Sequence, residues 1–277
     1  MNTRGQEHDP LDEEAVAPHG LFDIINNYLL LFYASACYLM YSSLSTMFLL
    51  SDRLTILLPL AGLVAVVGPL MMISVRSPRR FRDDFAFRRT GTAMGIAALL
   101  AAASAIIPME AFSVIFQRNL VHNADYINLL ITIKSKGPVT FIVVGIHLIA
   151  IAPLSEELLF RGFIQQIFAR NMPTWLAVVL AGLVFGLAHF NLSIIPAATV
   201  MGIFFGYLFV RTGSILVPIA AHSLFNIFSF VMLTLSSKEE LLSKDVSSPD
   251  LRIVALSATV LVASLFLIES HTHYRAK

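Results

Sequence analysis

Two adjacent carboxylates stand in the run Ala152-Pro153-Leu154-Ser155-Glu156-Glu157-Leu158-Leu159-Phe160-Arg161-Gly162. On a helix Glu157 and Arg161 are four residues apart and share a face, in the acid-first order that best forms an ion pair. Glu156 points about 100° away from them. The spacing therefore divides the dipeptide: one carboxylate is neutralised by a guanidinium, and the other is free to face a cavity as a general base. His189 closes Phe185-Gly186-Leu187-Ala188-His189, with Phe185 one turn earlier on the same face. His222 and Asn226, again four apart, project two hydrogen-bonding groups from one apolar helix. Three separate segments that each offer one polar face imply a shared interior site.

Hydrolysis is one chemistry that uses this set. Glu156 would take a proton from water, His189 would hold and activate that water, and His222 with Asn226 would donate to the oxyanion of a tetrahedral intermediate. Carboxylate and imidazole are also ordinary zinc ligands, so a metal held by Glu156, His189 and His222 is an open alternative, against which Asn226 argues mildly. Other hydrolytic signatures are missing: there is no HExxH, no GxSxG, and no Asp in the long apolar runs for an aspartyl pair. His147 lies nine residues before Glu156 and is expected to face away from it as a structural hydrogen-bond partner. Gly202 and Gly206, four apart, are expected to make a close helix contact.

The elements that position these groups follow from composition. Of the 277 residues 57% are hydrophobic and 13% charged, and the formal net charge is +1, which excludes an ordinary soluble domain and gives no basic balance for nucleic acid. No Asp, Glu, Lys or Arg occurs in 24–51, 54–75, 90–109, 137–155, 171–210, 212–237 or 253–268. A hydrocarbon layer about 30 Å thick needs about 20 such residues per helix. The run 171–210 holds two crossings and the others one each. The expected architecture is an all-α, polytopic membrane bundle of about eight helices, near 28–50, 54–75, 91–109, 139–157, 174–190, 194–210, 214–235 and 251–269. Residues 1–23 read as a disordered acidic tail without a signal-peptide pattern, and 24–277 as one integral membrane domain. Arg76, Arg79, Arg80, Arg82, Arg88 and Arg89 form a dense basic loop after the second crossing. It is expected on the cytoplasmic side, against anionic lipid head groups, and parity then puts both termini there too. The single Cys37 excludes an internal disulfide or a CxxC site.

The three motifs, in this order and with the connecting Gly206-Tyr207-Leu208-Phe209-Val210-Arg211-Thr212-Gly213-Ser214, resemble the CAAX protease and bacteriocin-processing family, also called the ABI family. Its eukaryotic relatives are the type II CAAX prenyl endopeptidases, and the likeness covers about 137–235. It implies glutamate-dependent intramembrane proteolysis with Glu156, His189, His222 and Asn226 as the catalytic set, supported by Glu157, Arg161 and Phe185. It implies no cofactor, although the family was earlier described as metalloproteases and zinc stays an alternative. The implied partners are membrane lipids and a peptide or protein substrate, either a prenylated C-terminal CAAX sequence or a secreted leader or signalling peptide. Read without the resemblance, the same polar cavity also suits a non-catalytic immunity or scaffold protein, or a transporter with a His/Glu proton relay. A proton-coupled transporter is disfavoured by the lack of duplicated halves. One geometric condition applies: straight, upright helices would keep the glutamates from His189. The fourth helix is therefore expected to run on through Arg161 toward Ile167.

Overall fold

The computed structural model describes residues 27–51, 53–75, 79–119, 131–237 and 248–275. The expected acidic tail at 1–23 and Arg76 lie outside these. The described residues form an all-α membrane bundle. Its long helices are α1 (Asn27–Leu50), α2 (Thr55–Ser74), α3 (Thr92–Asn119), α4 (Pro138–Ala169), α5 (Thr174–Leu187), α6 (Ile195–Thr212), α7 (Leu216–Leu235) and α8 (Leu251–Arg275). Among the described residues seven of them are long and apolar enough to cross a membrane; α5, with 14 residues, is the shorter one. At 1.5 Å per residue α5 is about 21 Å long, less than the hydrocarbon thickness. The helix expected over 174–190 is thus shorter than a full crossing and ends at Leu187.

Prolines account for two of the places where the long helices depart from regular geometry. In α2 a π segment, Leu63–Val67, ends on the bond from Gly68 N–H to Leu63 O, directly before Pro69. In α4 the π segment His147–Ile151 ends on the bond from Ala152 N–H to His147 O, directly before Pro153. A proline ring crowds the carbonyl four residues back and brings no N–H, and the wider π turn accommodates both defects. A further π segment, Phe160–Ile164, contains Arg161 and no proline. α6 stops at Gly213, whose φ of 61° is the left-handed conformation that closes a helix.

Small residues let the central helices approach. A Cβ on Gly202 of α6 would lie 2.8 Å from Gly182 Cα of α5, so the two backbones touch there. A Cβ on Gly206 would lie 2.6 Å from Gln165 Oε1 of α4. The expected close contact at these two glycines is present, and it brings α5 and α4 against one face of α6. The loop after α2 is a built element. Ser74 Oγ donates to Asp84 Oδ2 at 2.7 Å, Ile215 N–H donates to Ala86 O at 3.1 Å, and Ser214 Oγ donates to Arg88 O. Its Phe85 is fully buried and fills the space left by Gly162 of α4. Across the bundle, Lys134 Nζ caps the last carbonyls of α7 at Leu233 and Thr234, and Lys136 Nζ bonds Leu49 O near the end of α1.

Replacing Gly202 by Ala is expected to lower stability by about 1–3 kcal/mol, as overpacking does in closed interfaces. Gly95→Ala, whose Cβ meets only the side chain of Thr90, should cost little. Thermal unfolding of the two variants in detergent checks the contrast.

Candidate active site

An ion cluster without solvent contact lies at the centre of the bundle. Glu157 and Arg161 are fully buried. Glu157 Oε1 accepts from Arg161 Nη1 at 2.8 Å and from His222 Nδ1 at 2.9 Å. The (i, i+4) pairing expected within α4 is therefore made, and a bond to α7 is added. The other guanidinium nitrogen, Arg161 Nη2, donates to Gly202 O on α6 at 2.9 Å. Four residues further along α4, Gln165 Nε2 donates to Gly206 O at 3.3 Å. The spacing of the two side chains thus matches the spacing of the two glycines whose carbonyls they engage. Phe185 lies 4.5 Å from the guanidinium carbon and Phe205 stacks on His222 at 5.1 Å, so aromatic faces enclose the cation and the imidazole. The role of Phe185, one turn before His189, is to close this wall.

His189 occupies the turn that ends α5. His189 N–H bonds Gly186 O, Phe190 N–H bonds Leu187 O, and Phe190 takes a φ of 49°. That conformation is uncommon for a bulky residue and reverses the chain at the end of α5. Asn191 then starts the return: its Oδ1 accepts from Ser193 N–H at 3.1 Å and its carbonyl from Ile195 N–H at 2.9 Å. Irregular backbone at membrane depth persists only where it lines a cavity or is covered by protein. Depth also matches. α4 does run on through Arg161 to Ala169, and Glu156 lies about 20 Å back from that end, while His189 lies about 22 Å from the start of α5 just beyond it.

The two histidines have their protonation patterns set by their partners. Phe185 O can only accept, so His189 Nδ1, at 2.9 Å, is the donor. Ionised Glu157 can only accept, so His222 Nδ1 is likewise the donor. Each neutral ring then keeps Nε2 as a proton acceptor. Asn226 spends one N–H on Leu148 O, at 2.7 Å. That carbonyl has no helical donor, because Ala152 N–H is taken by His147 O and Pro153 has none.

Glu156 is only partly buried, in contrast to the sealed Glu157. Its Oε1 accepts from Tyr41 OH of α1 at 3.3 Å, and Tyr41 OH is 3.4 Å from His147 Nε2. One turn earlier, Tyr38 OH bonds Ala188 O, beside His189. Two tyrosines of α1, with ring centroids 6.1 Å apart, thus join the Glu156 side to the His189 side. His147 does find a hydrogen-bond partner in Tyr41, but it does not face away from Glu156 as a nine-residue offset on a regular helix requires. The π segment His147–Ile151 shifts the helical phase, and one tyrosine hydroxyl reaches both side chains. A cavity of about 180 Å³ is lined by His189 from the turn after α5 and by His222 and Asn226 of α7, together with Phe185, Phe205 and Glu110. Three of the four expected catalytic side chains share that lining; Glu156 is held by Tyr41, and Glu157 lies behind His222.

Sequence reasoning missed Tyr38, Tyr41 and Glu110. Glu110 was treated as the end of an apolar run, although α3 continues to Asn119 and an isolated carboxylate within it is itself a signal. Among the described residues no group of three His, Cys, Asp or Glu side chains is placed to hold a metal ion. The set Glu156, His189 and His222 does not fit a zinc ion in this arrangement.

Residues 138–228 match a family model described as type II CAAX prenyl endopeptidase Rce1-like. Over this core the chain resembles the CAAX protease family. The matched span runs from the start of α4 into α7 and takes in all three motifs. A curated relative from Bacillus subtilis (strain 168), named "Putative membrane peptidase YdiL", is 33% identical over 82 residues, which is 30% of this chain and 34% of the relative. The chain thus matches about a third of that relative's length. No solved structure matches significantly.

Arg161→Ala is expected to destabilise the protein by about 3–5 kcal/mol by leaving Glu157 buried and uncompensated. Adding Glu157→Gln to Arg161→Ala should recover part of the loss, and denaturation of the single and double variants in detergent gives the coupling directly. Additive losses would contradict a shared ion cluster.

Proposed function

We propose that the protein is an intramembrane endopeptidase that hydrolyses a peptide bond with water activated by Glu156. The observation that carries this reading is the convergence of His189, His222 and Asn226 on one cavity inside a membrane bundle, with a sealed carboxylate orienting His222. The Rce1-like match over the same helices and the name of the B. subtilis relative support it.

In this mechanism Glu156 removes a proton from water as the water oxygen attacks the peptide carbonyl carbon. Tyr41 orients the carboxylate, and His189 Nε2 accepts a hydrogen bond that helps fix the water. The developing oxyanion takes a hydrogen bond from the second N–H of Asn226. His222 Nε2 adds another only when the ring is protonated, and Glu157 is then its counter-ion. When the C–N bond breaks, the proton held by Glu156 passes to the leaving nitrogen. Glu157 and Arg161 are positioning residues, because their charges are consumed by each other and by His222. The basic loop carrying Arg79, Arg80, Arg82, Arg88 and Arg89 faces the cytoplasm in this reading, and both termini lie there with it.

The test is cleavage by purified wild type and Glu156→Ala in detergent, with a panel of prenylated CAAX-type and leader-like peptides. Wild type is expected to cut at least one class, and Glu156→Ala to lower kcat by roughly 10²–10⁴-fold, the usual contribution of a general base. Persistent cleavage by the variant removes Glu156 from that role. Loss of wild-type cleavage on chelation, restored by zinc, would transfer the chemistry to a metal.

A further inference from the structure

The cavity contains one ionisable group that the proposed mechanism does not use. Glu110 is the only charged residue of α3 between Thr92 and Phe116 and is partly buried. It lines the same cavity as His189, His222 and Asn226. Its carboxylate has no hydrogen bond or ion pair with any described residue. The contrast with the other internal carboxylates is direct: Glu157 is neutralised by Arg161, and Glu156 is held by Tyr41. Arg161 cannot serve Glu110, because it is sealed behind Phe185 and its bonds go to Glu157 and Gly202 O.

Apart from the histidines, the other side chains around this cavity are neutral, including Met109, Ser113, Met201, Phe225 and Ser229. A carboxylate without a partner among the described residues is costly inside an apolar helix, and a mobile partner can supply the missing charge or donor. The cavity that Glu110 lines gives such a partner access to it. At about 30 Å³ per water, a cavity of 180 Å³ has room for about six waters, or for one extended side chain in their place. A lysine or arginine side chain has the right form: its apolar stem packs on Met109 and Phe225, and its cationic head meets the carboxylate.

We propose that Glu110 is a specificity residue whose carboxylate binds a basic side chain of the peptide in the cavity, so that substrates carry Lys or Arg beside the bond that is cut. This rests on the peptidase reading above and adds a substrate class to it. Glu110 takes no proton in the reaction and contacts only the flanking side chain.

Two readouts separate this inference from that reading. Cleavage is measured on matched peptides with lysine, norleucine or glutamate at each position flanking the bond, for wild type, Glu110→Gln and Glu110→Lys. Binding of the same fluorescent peptides is measured by anisotropy with Glu156→Ala as the background, which needs no hydrolysis. Wild type is expected to prefer lysine over norleucine in kcat/KM. In Glu110→Gln that ratio should fall about tenfold or more, and Glu110→Lys should turn the preference toward glutamate. If Glu110→Lys does not fold, the nearly isosteric Glu110→Gln still decides the question. A lysine-to-norleucine ratio unchanged by Glu110→Gln in both cleavage and binding overturns the inference and leaves the peptidase reading standing. Lysine-selective binding that depends on Glu110, without cleavage of any peptide, upholds Glu110 as the binding site for a basic side chain and overturns the peptidase reading, and with it the placement beside a cut bond. Neither binding nor cleavage by wild type overturns both.

Discussion

The carboxylate of Glu157, shared between Arg161 and His222, is the constraint on which the rest of the bundle depends. Removing two full charges from water costs several kcal/mol each, and the loss is offset only if geometry and extra hydrogen bonds are good. Here α4 supplies both charges, α6 supplies the carbonyl of Gly202, and α7 supplies an imidazole N–H. The cluster therefore fixes three helices relative to one another, and it is insulated by Phe185 and Phe205. What it leaves accessible is a second set of groups: His189 and Asn226 line the cavity beside His222, and Glu156, held by Tyr41, is only partly buried.

That exposed set is positioned by departures from regular helix. The π segment before Pro153 releases Leu148 O, and Asn226 takes it. α5 ends early, so His189 stands in a turn with its Nδ1 tied to Phe185 O and Nε2 available. Arg161 lies in a π segment of its own. In lipid each freed backbone group must find a partner, and here side chains from neighbouring helices supply several of them. The backbone irregularities and the polar side chains are thus two sides of one arrangement.

Much of this was legible from residue types. Long runs without charge announced membrane helices, and the four-residue spacing of Glu157 and Arg161 announced their ion pair. Gly202 and Gly206 announced a close helix contact. The continuation of α4 past Arg161 followed from the need to bring the glutamates to the depth of His189. What sequence spacing did not reveal depends on contacts between distant segments. Tyr41 and Glu156 are 115 residues apart, and nothing in either motif points to the other. His222 was read as facing the substrate with Asn226, whereas one of its nitrogens is turned to Glu157. The short α5 was hidden because the apolar run continues through the turn at His189 and Phe190. Glu110 is visible in the sequence as a lone carboxylate within the apolar stretch of α3, but its approach to His189 and His222 depends on packing between helices.

The central claim, that an ionised Glu157 holds His222 by its Nδ1 proton, is tested most directly by ¹⁵N NMR of His222 in histidine-labelled protein in detergent. Shifts showing a neutral ring protonated at Nδ1, and loss of that state in Glu157→Gln, are the predicted result. A ring protonated at Nε2 alone, or one that exchanges between tautomers as a free imidazole does in water, would contradict it.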